Sequence, residues 1–475
     1  MMRIKKNSLC QTKRSAFPLL TKTAGTGVLA LTLFCVPSAA RAGGDPLSAE
    51  RAVTAPACRE TAQNTPLRLG DAVNLALCRN PETRRLYMGV MAAAAEYGQA
   101  KADYWPTVDL SAGASHSGRH VHGGGETDAD TATARLSAQW LLYDFGGREA
   151  AAQSARQALA AALATRSDAL QGMIFDVAEA YYLVFAAQAE QKNSRATLDA
   201  AQSAYDAAAK RYDLGLAALS DRLQAETSRS EAQLTVAKAD RALAVAKGNL
   251  AVLMNYSPDY DPELASEELP AGFSDMPDDI DALFKTALNR RADIAAQKAA
   301  VEQARSDIAV QESKNAPSLS LSAGLGADKE LTRDKTRARS DNIGVSLTVP
   351  LFTGFKNTYR INQARYRLEQ SEAALKKLES NVKNDVWTTY QNFFTAKKTY
   401  EISQTMLASA DQNAQVALGA YKAGRGSILN VLDAQSKLAD ARTTNSRSLY
   451  ELLIARTNIV RKIGLIDPFK AGKGF

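Results

Sequence analysis

Histidine and cysteine are scarce in this 475-residue chain, with three of the first and four of the second. His116, His120 and His122 all fall in one Gly-rich segment with no cysteine beside them, unlike the Cys and His spacings of zinc sites. A nucleophile elbow, a phosphate loop, a metalloprotease helix and a dinucleotide fingerprint are also missing. The expectation is a protein that is not an enzyme and holds neither metal nor cofactor. Proline is absent from Gly146 to Leu214, where glycine occurs only at Gly146, Gly147 and Gly172. That absence removes the usual helix breakers from 69 consecutive residues.

Long hydrophobic runs are lacking too. The stretch from about Gly25 to Val36 is too short to span a bilayer. It follows Arg3, Lys5, Lys6, Lys13, Arg14 and Lys22 and precedes Ala40-Arg41-Ala42, so residues 1–42 read as a secretory signal. These residues hold seven of the 58 Lys and Arg and none of the 51 Asp and Glu, which leaves 51 against 51. The formal charge of +7 therefore belongs to the leader, and nothing points to nucleic acid. Phe34 before Cys35 argues against a lipid-anchored cysteine, which needs a small residue there. Cys58 and Cys78 remain, and in an oxidising exported setting they are expected to form a disulfide.

What is present is a duplication. Trp105-Pro106-Thr107-Val108-Asp109-Leu110-Ser111-Ala112-Gly113 aligns with Ala316-Pro317-Ser318-Leu319-Ser320-Leu321-Ser322-Ala323-Gly324 at an offset of 211. The offset then falls to 209: Leu142-Tyr143 matches Leu351-Phe352, and Tyr212-x-x-Gly215 matches Tyr421-x-x-Gly424. The length change lies between two alternating segments, which places a loop there.

Four segments alternate with period two, one face apolar and the other polar: 106–116, 132–143, 317–327 and 341–352. About ten residues suffice for a tilted membrane strand, although a half-buried soluble sheet shows the same alternation. Trp105, Trp140, Tyr143, Phe145, Phe352 and Phe355 at the strand ends favour a membrane interface. Four strands leave two open edges, which lipid does not tolerate, so copies must close the sheet. Two, three or four chains all satisfy that arithmetic. The proline-free stretch 146–214 predicts one helix of roughly 100 Å, duplicated over 355–423. Shorter helices are expected over 217–256 and 427–466, and unbroken ones over 69–104 and 280–316. The small side chains of abundant alanine suit close helix packing.

With helix, strand pair and helical hairpin in this order, the chain resembles the TolC family of outer-membrane efflux and secretion channels over essentially all of its length after the leader. The most specific segments are Tyr212-Asp-Leu-Gly215-Leu-Ala-Ala-Leu-Ser220-Asp221-Arg-Leu-Gln224 and Tyr421-Lys-Ala-Gly424-Arg425-Gly426-Ser427-Ile-Leu-Asn430-Val-Leu-Asp433, which look like the family's two hairpin tips. The resemblance implies a mainly α chain with a pair of membrane β-hairpins. Its long antiparallel helical hairpins would form a periplasmic tunnel, and four strands per protomer would build a twelve-stranded outer-membrane barrel in a homotrimer. It also implies a periplasmic adaptor (membrane fusion) protein and an inner-membrane transporter as partners, with outer-membrane lipid around the barrel. Gly215, Leu216, Ser220, Gly424, Gly426 and Ser427 become candidate adaptor contacts.

Asp221, Gln224, Tyr421, Arg425, Asn430 and Asp433 become candidates for constricting the entrance. The family typically places acids at both positions matched by Asn430 and Asp433, whereas here each tip has one acid and one amide, in opposite order. The family's latch arginine falls on Gly426, with Arg425 one place earlier. Asn342-Ile-Gly344-Val-Ser-Leu347-Thr-Val349 resembles the signal read by the outer-membrane insertion machinery. The implied organisation is signal 1–42, extension 43–68, first repeat 69–256, equatorial linker 257–278, second repeat 279–466 and tail 467–475. Absence of lipidation favours type I export of a protein toxin or protease. A drug or metabolite efflux outlet is the alternative within the family, and a secreted coiled-coil scaffold or adhesin the alternative outside it.

Overall fold

The computed structural model describes residues 45–50, 53, 66–120, 122–123, 127–265, 279–332 and 336–466. The leader and Cys58 lie outside the described residues. In the first half the elements run α1 (Leu69–Arg79), α2 (Pro81–Ala102), β1 (Thr107–Arg119), β2 (Thr127–Tyr143), α3 (Gly147–Asp213) and α4 (Leu219–Leu253). The second half repeats them as α5 (Ile280–Arg290), α6 (Ala292–Ser313), β3 (Ser318–Glu330), β4 (Arg337–Thr348), α7 (Lys356–Lys422) and α8 (Ile428–Lys462). Both long helices have 67 residues and both returning helices 35.

The expected unbroken helices over 69–104 and 280–316 are each broken in two. At the first break Pro81 has no N–H to continue the ladder, and Asn80 before it takes an extended conformation (φ −66°, ψ 127°). The Asn80 side chain then accepts from the Glu82 N–H at 2.9 Å and starts α2. The second break has no proline. Arg291 adopts nearly the same backbone (φ −64°, ψ 132°) and is held by Asp293 at 2.6 Å and Asp385 at 3.4 Å.

Each break frees a short helix to cover the middle of a long one. On α1, Leu69, Ala72, Val73 and Ala76 recur at helical spacing and are buried against Ile174, Val177, Tyr181 and Val184 of α3 and Leu250 of α4. Leu283 and Ala287 of α5 join Val382 and Val386 of α7 and Ile459 of α8 in the matching core. The Tyr181 hydroxyl donates to the Leu67 carbonyl at 3.1 Å and lies 3.3 Å from that of Ala265. It thereby braces a parallel bridge between Leu67 and Leu264. Among the described residues, α3 is the one helix apolar enough to pass for a membrane span, but its apolar window is 61% buried in the fold. Cys78 of α1 is disulfide-bonded.

The long helices form one layer, with α3 between α4 and α8, and α8 between α3 and α7. The four strands form an antiparallel sheet in the order β1-β2-β3-β4, so the β2–β3 pairing joins the two halves and β1 and β4 are open edges. Cross-strand rows such as Val108–Ala138–Ala323–Ile343 keep one face apolar. On the edge strands this face stays exposed in the protomer, Ile343 at 80%, while Ala138 and Ala323 between them are half-buried. Toward the loops β1, β2, β3 and β4 run further than the apolar alternation, because backbone pairing continues through polar pairs such as Ser115–Thr131. At the other end β4 stops at Thr348 rather than 352, since Pro350 cannot donate to a ladder.

Where strand meets helix, Arg148 donates to the carbonyls of Leu141 (2.7 Å) and Leu142 (3.1 Å), at the register shift between β2 and β3 that skips Leu142. Asp144 accepts from the Arg148 N–H at 2.6 Å and caps α3. In the second half Asn357 performs the joint by donating to the Lys314 carbonyl at 3.2 Å.

Gly464 has φ +73°, and a Cβ there would lie 2.9 Å from the Arg290 carbonyl carbon. Gly464→Val combines left-handed strain with overpacking and is expected to cost about 2–4 kcal/mol, measured by denaturant unfolding. Asp168 of α3 is pushed above the ordinary carboxylate range by burial first and Asp293 second, against the pull of Arg461, Arg291 and Lys462. A raised folded-state pKa means that ionisation costs stability as pH rises through it. Asp168→Asn should therefore raise the melting temperature at neutral pH, and the gain should vanish as pH falls below the usual Asp range. A gain independent of pH would remove the charge as its cause.

Candidate functional site

The two helical hairpins end in turns built alike. Gly215 (φ +71°) and Gly424 (φ +78°) take the left-handed conformation that ends a helix without a Cβ penalty. Behind them the Leu216 N–H donates to the Arg211 carbonyl at 2.8 Å, and the Arg425 N–H donates to the Ala420 carbonyl at 2.9 Å. The second turn is tighter, since a Cβ on Gly426 would come within 3.1 Å of the Tyr421 nitrogen. Ser427 caps α8, accepting from the Leu429 N–H at 3.3 Å. Its repeat partner is Ala218, which stands at the α4 N-cap and has nothing to accept with. Ser220 lies inside the first turn of α4, its hydroxyl 3.5 Å from the Asp221 carboxylate.

Tyr421 is brought inward. It is 2% exposed and packs with Ala204, Ala208, Ala225, Ile428 and Val431, where the two hairpins meet. Burial pushes its phenol upward, Arg211 opposes that and Asp221 adds to it. The guanidinium of Arg211 lies 4.9 Å from the Tyr421 ring, donates to the Tyr421 carbonyl at 2.8 Å, and reaches the Leu216 carbonyl at 3.5 Å. One side chain thus ties the α3–α4 turn to the end of α7. Sequence reasoning passed over Arg211, whose repeat partner is Ala420; its signal was a cation beside a tip motif in one half alone.

The remaining entrance candidates lie on the first two turns of α4 and α8, apart from Arg425 in the turn before α8. Asp221 is half-buried near the positive N-terminal end of α4, whereas Gln224 is exposed one turn later. Asn430 and Asp433 are exposed on α8, and Asp433 pairs with Lys437 at 2.7 Å. Arg425 is exposed. Leu214, Leu216, Leu219, Leu223 and Leu429 leave an apolar surface around the tips. In the sheet, His116 of β1 bonds Asp130 of β2 across the strands at 2.7 Å. Among the described residues no cluster of three or more His, Cys, Asp or Glu converges as a metal site would require.

The outer membrane efflux protein family model matches residues 72–256 and 283–465, one match on each repeat. Protein CyaE of Bordetella pertussis is 29% identical over 379 residues, covering 79% of each chain. The alkaline protease secretion protein AprF of Pseudomonas aeruginosa is 25% identical over 183 residues, 38% of each chain. Among solved structures, CusC aligns with a TM-score of 0.74 at 22% identity, over 86% of this chain and 95% of its own. At that identity the likeness concerns the fold.

Arg211→Ala is expected to loosen the tips by about 1–3 kcal/mol while leaving the equatorial cores intact. Hydrogen exchange should accelerate around residues 211–216 and 420–428, and not around 174–184. Equal protection in the variant would leave the guanidinium without a holding role.

Proposed function

This chain belongs to the outer membrane efflux protein family, the TolC family that its sequence resembles, and from that premise we propose that it is the trimeric outer-membrane channel-tunnel of a type I protein exporter. The observation that carries the channel reading is the sheet of four paired strands with an exposed apolar face and unpaired edges at β1 and β4. In a bilayer such edges must pair, and three copies joined β4 to β1 make a closed wall of twelve strands. The helical layer carries its own free flanks, with exposed Leu234 and Val245 on α4 and exposed Ile402 and Val416 on α7, so the same closure serves both parts.

In this reading the leader 1–42 is removed on export, the two repeats supply equivalent wall segments, and 257–278 belongs to the equator. Asp221 and Asp433 of three protomers line the entrance as six carboxylates, while Gln224, Asn430, Arg425 and Tyr421 shape it. Lys437 offsets part of the Asp433 charge. The turns at Gly215, Leu216 and Ser220 and at Gly424, Gly426 and Ser427 dock a periplasmic adaptor, itself joined to an inner-membrane transporter. Two things favour protein as cargo: the lack of a lipid-anchored cysteine after the signal, and the likeness to a relative whose name states protease secretion.

In planar bilayers the purified protein is expected to conduct as a cation-selective trimer. Asp221→Ala with Asp433→Ala should raise conductance or blunt block by divalent cations; unchanged currents would remove both from the entrance. Deleting the gene should deplete a protein from the culture medium. The wild-type gene should restore it, and Gly424→Val should not, although that variant still reaches the outer membrane. An unchanged set of secreted proteins together with new sensitivity to small toxic compounds would establish the drug or metabolite outlet instead. Recovery as a soluble rod without detergent would overturn the channel.

A further inference from the structure

One feature of the sheet is unlike a lipid-facing surface. Across the apolar face the row Ala114–Ala132–Lys329–Arg337 begins with alanines and ends with two cations in direct opposition. One row closer to the helices, Ala112–Ala134–Ala327 ends in Arg339. Arg339 lines a shallow depression together with Leu110, Leu136, Leu325 and Asp341, the last of which ends the row between Arg339 and Ile343 on the same face. Like charges directly opposite each other weaken a sheet. Among the described residues, Lys329, Arg337 and Arg339 have no carboxylate within ion-pair distance: Asp130 on the same face is held by His116, and Asp341 makes no ion pair with them.

Closure of the barrel does not supply the missing anion. The strand that would pair with β4 is β1 of the next copy, and its residues on this face are Val108, Leu110, Ala112, Ala114, His116 and Gly118. None is acidic. The position of the cluster along the wall indicates what else could reach it. Ten residues separate Leu319, at the helix end, from Lys329, which is about 33 Å of strand, or ~25 Å of height at a tilt of about 40°. That is the height of an outer-membrane barrel's apolar band, and it sets the three cations at the rim away from the helices, at the level of lipid headgroups.

Resting on the channel reading above, we propose that Lys329, Arg337 and Arg339 form a binding site for the phosphates of the phosphorylated glycolipid, lipid A, in the outer leaflet. Guanidinium groups match phosphate bidentately, and Lys329 adds a point charge beside them. Acyl chains would lie on the apolar rows below, in the depression at Leu110, Leu136 and Leu325. Three such sites per trimer fall at the β3–β4 hairpins, so that each lipid sits next to a protomer boundary and neutralises the Arg337 and Arg339 end of an edge strand whose one carboxylate on that face, Asp341, makes no ion pair with them.

The test uses the detergent-purified trimer and two probes, bisphosphorylated lipid A and the same lipid with its phosphates removed. The wild type should bind the first and show a raised melting temperature, with little response to the second or to inorganic phosphate. The triple variant Lys329→Gln, Arg337→Gln, Arg339→Gln should bind bisphosphorylated lipid A on the order of tenfold more weakly or less, the loss expected when charge-assisted hydrogen bonds are removed. It should still form trimers and conduct in bilayers of zwitterionic lipid. Equal binding by wild type and variant, or equal binding of the dephosphorylated lipid, would overturn the site. A wild type that conducts in zwitterionic bilayers and ignores phosphate leaves the channel standing and removes the lipid site; one that neither trimerises nor conducts removes both.

Discussion

A peptide group that leaves water must find a partner, and in hydrocarbon the cost of failing is several kcal/mol. The β1–β4 sheet meets this requirement internally at three of its four seams and leaves it unmet at β1 and β4. Much else in the chain depends on that unfinished seam. A closed ring requires copies, and copies require flanks that match below the sheet as well as within it. The long helices must therefore leave the barrel at a defined angle, which is what Arg148 and Asn357 secure by spending their donors on carbonyls at the strand–helix joints. The outer membrane efflux fold is in this sense a sheet problem solved with helices.

Much of the architecture was readable from the chain because it is local and written twice. Period-two alternation and long proline-free stretches need no tertiary information to interpret, and an offset of 209 residues checks each half against the other. The first helix break was also legible, since Asn80-Pro81 is a start signal with a cap and a proline at the first helical position. The second was not. Arg291 is no recognised helix-start residue, and beyond its neighbour Asp293 its side chain is held by Asp385 and by the Lys462 carbonyl, which are distant in the chain.

The tips divide in the same way. Gly215, Gly424 and Ser427 act through their own neighbours, and the motif alone places them. Arg211 acts on a carbonyl 210 residues away, so its role emerges only when the two hairpins lie side by side. Asp433 shows a subtler miss: Lys437 stands at the i+4 position that helix geometry brings together, so the partial neutralisation of that carboxylate was present in the sequence. Lys329 and Arg337 are legible as residues, but only strand register makes them face one another.

The equality of the helices has a further meaning. With 67 residues in α3 and in α7, and 35 in α4 and in α8, the two hairpins end level, and only then does Arg211 find the Tyr421 carbonyl. About seven residues added to each helix of one hairpin would carry its tip about 10 Å past the other and strand that guanidinium against a bare helix side. The duplicated halves thus act as a vernier. Insertions or deletions that survive in one tunnel helix must be matched in the other three, and the reach of the conduit across the periplasm can change only in steps taken by both halves together.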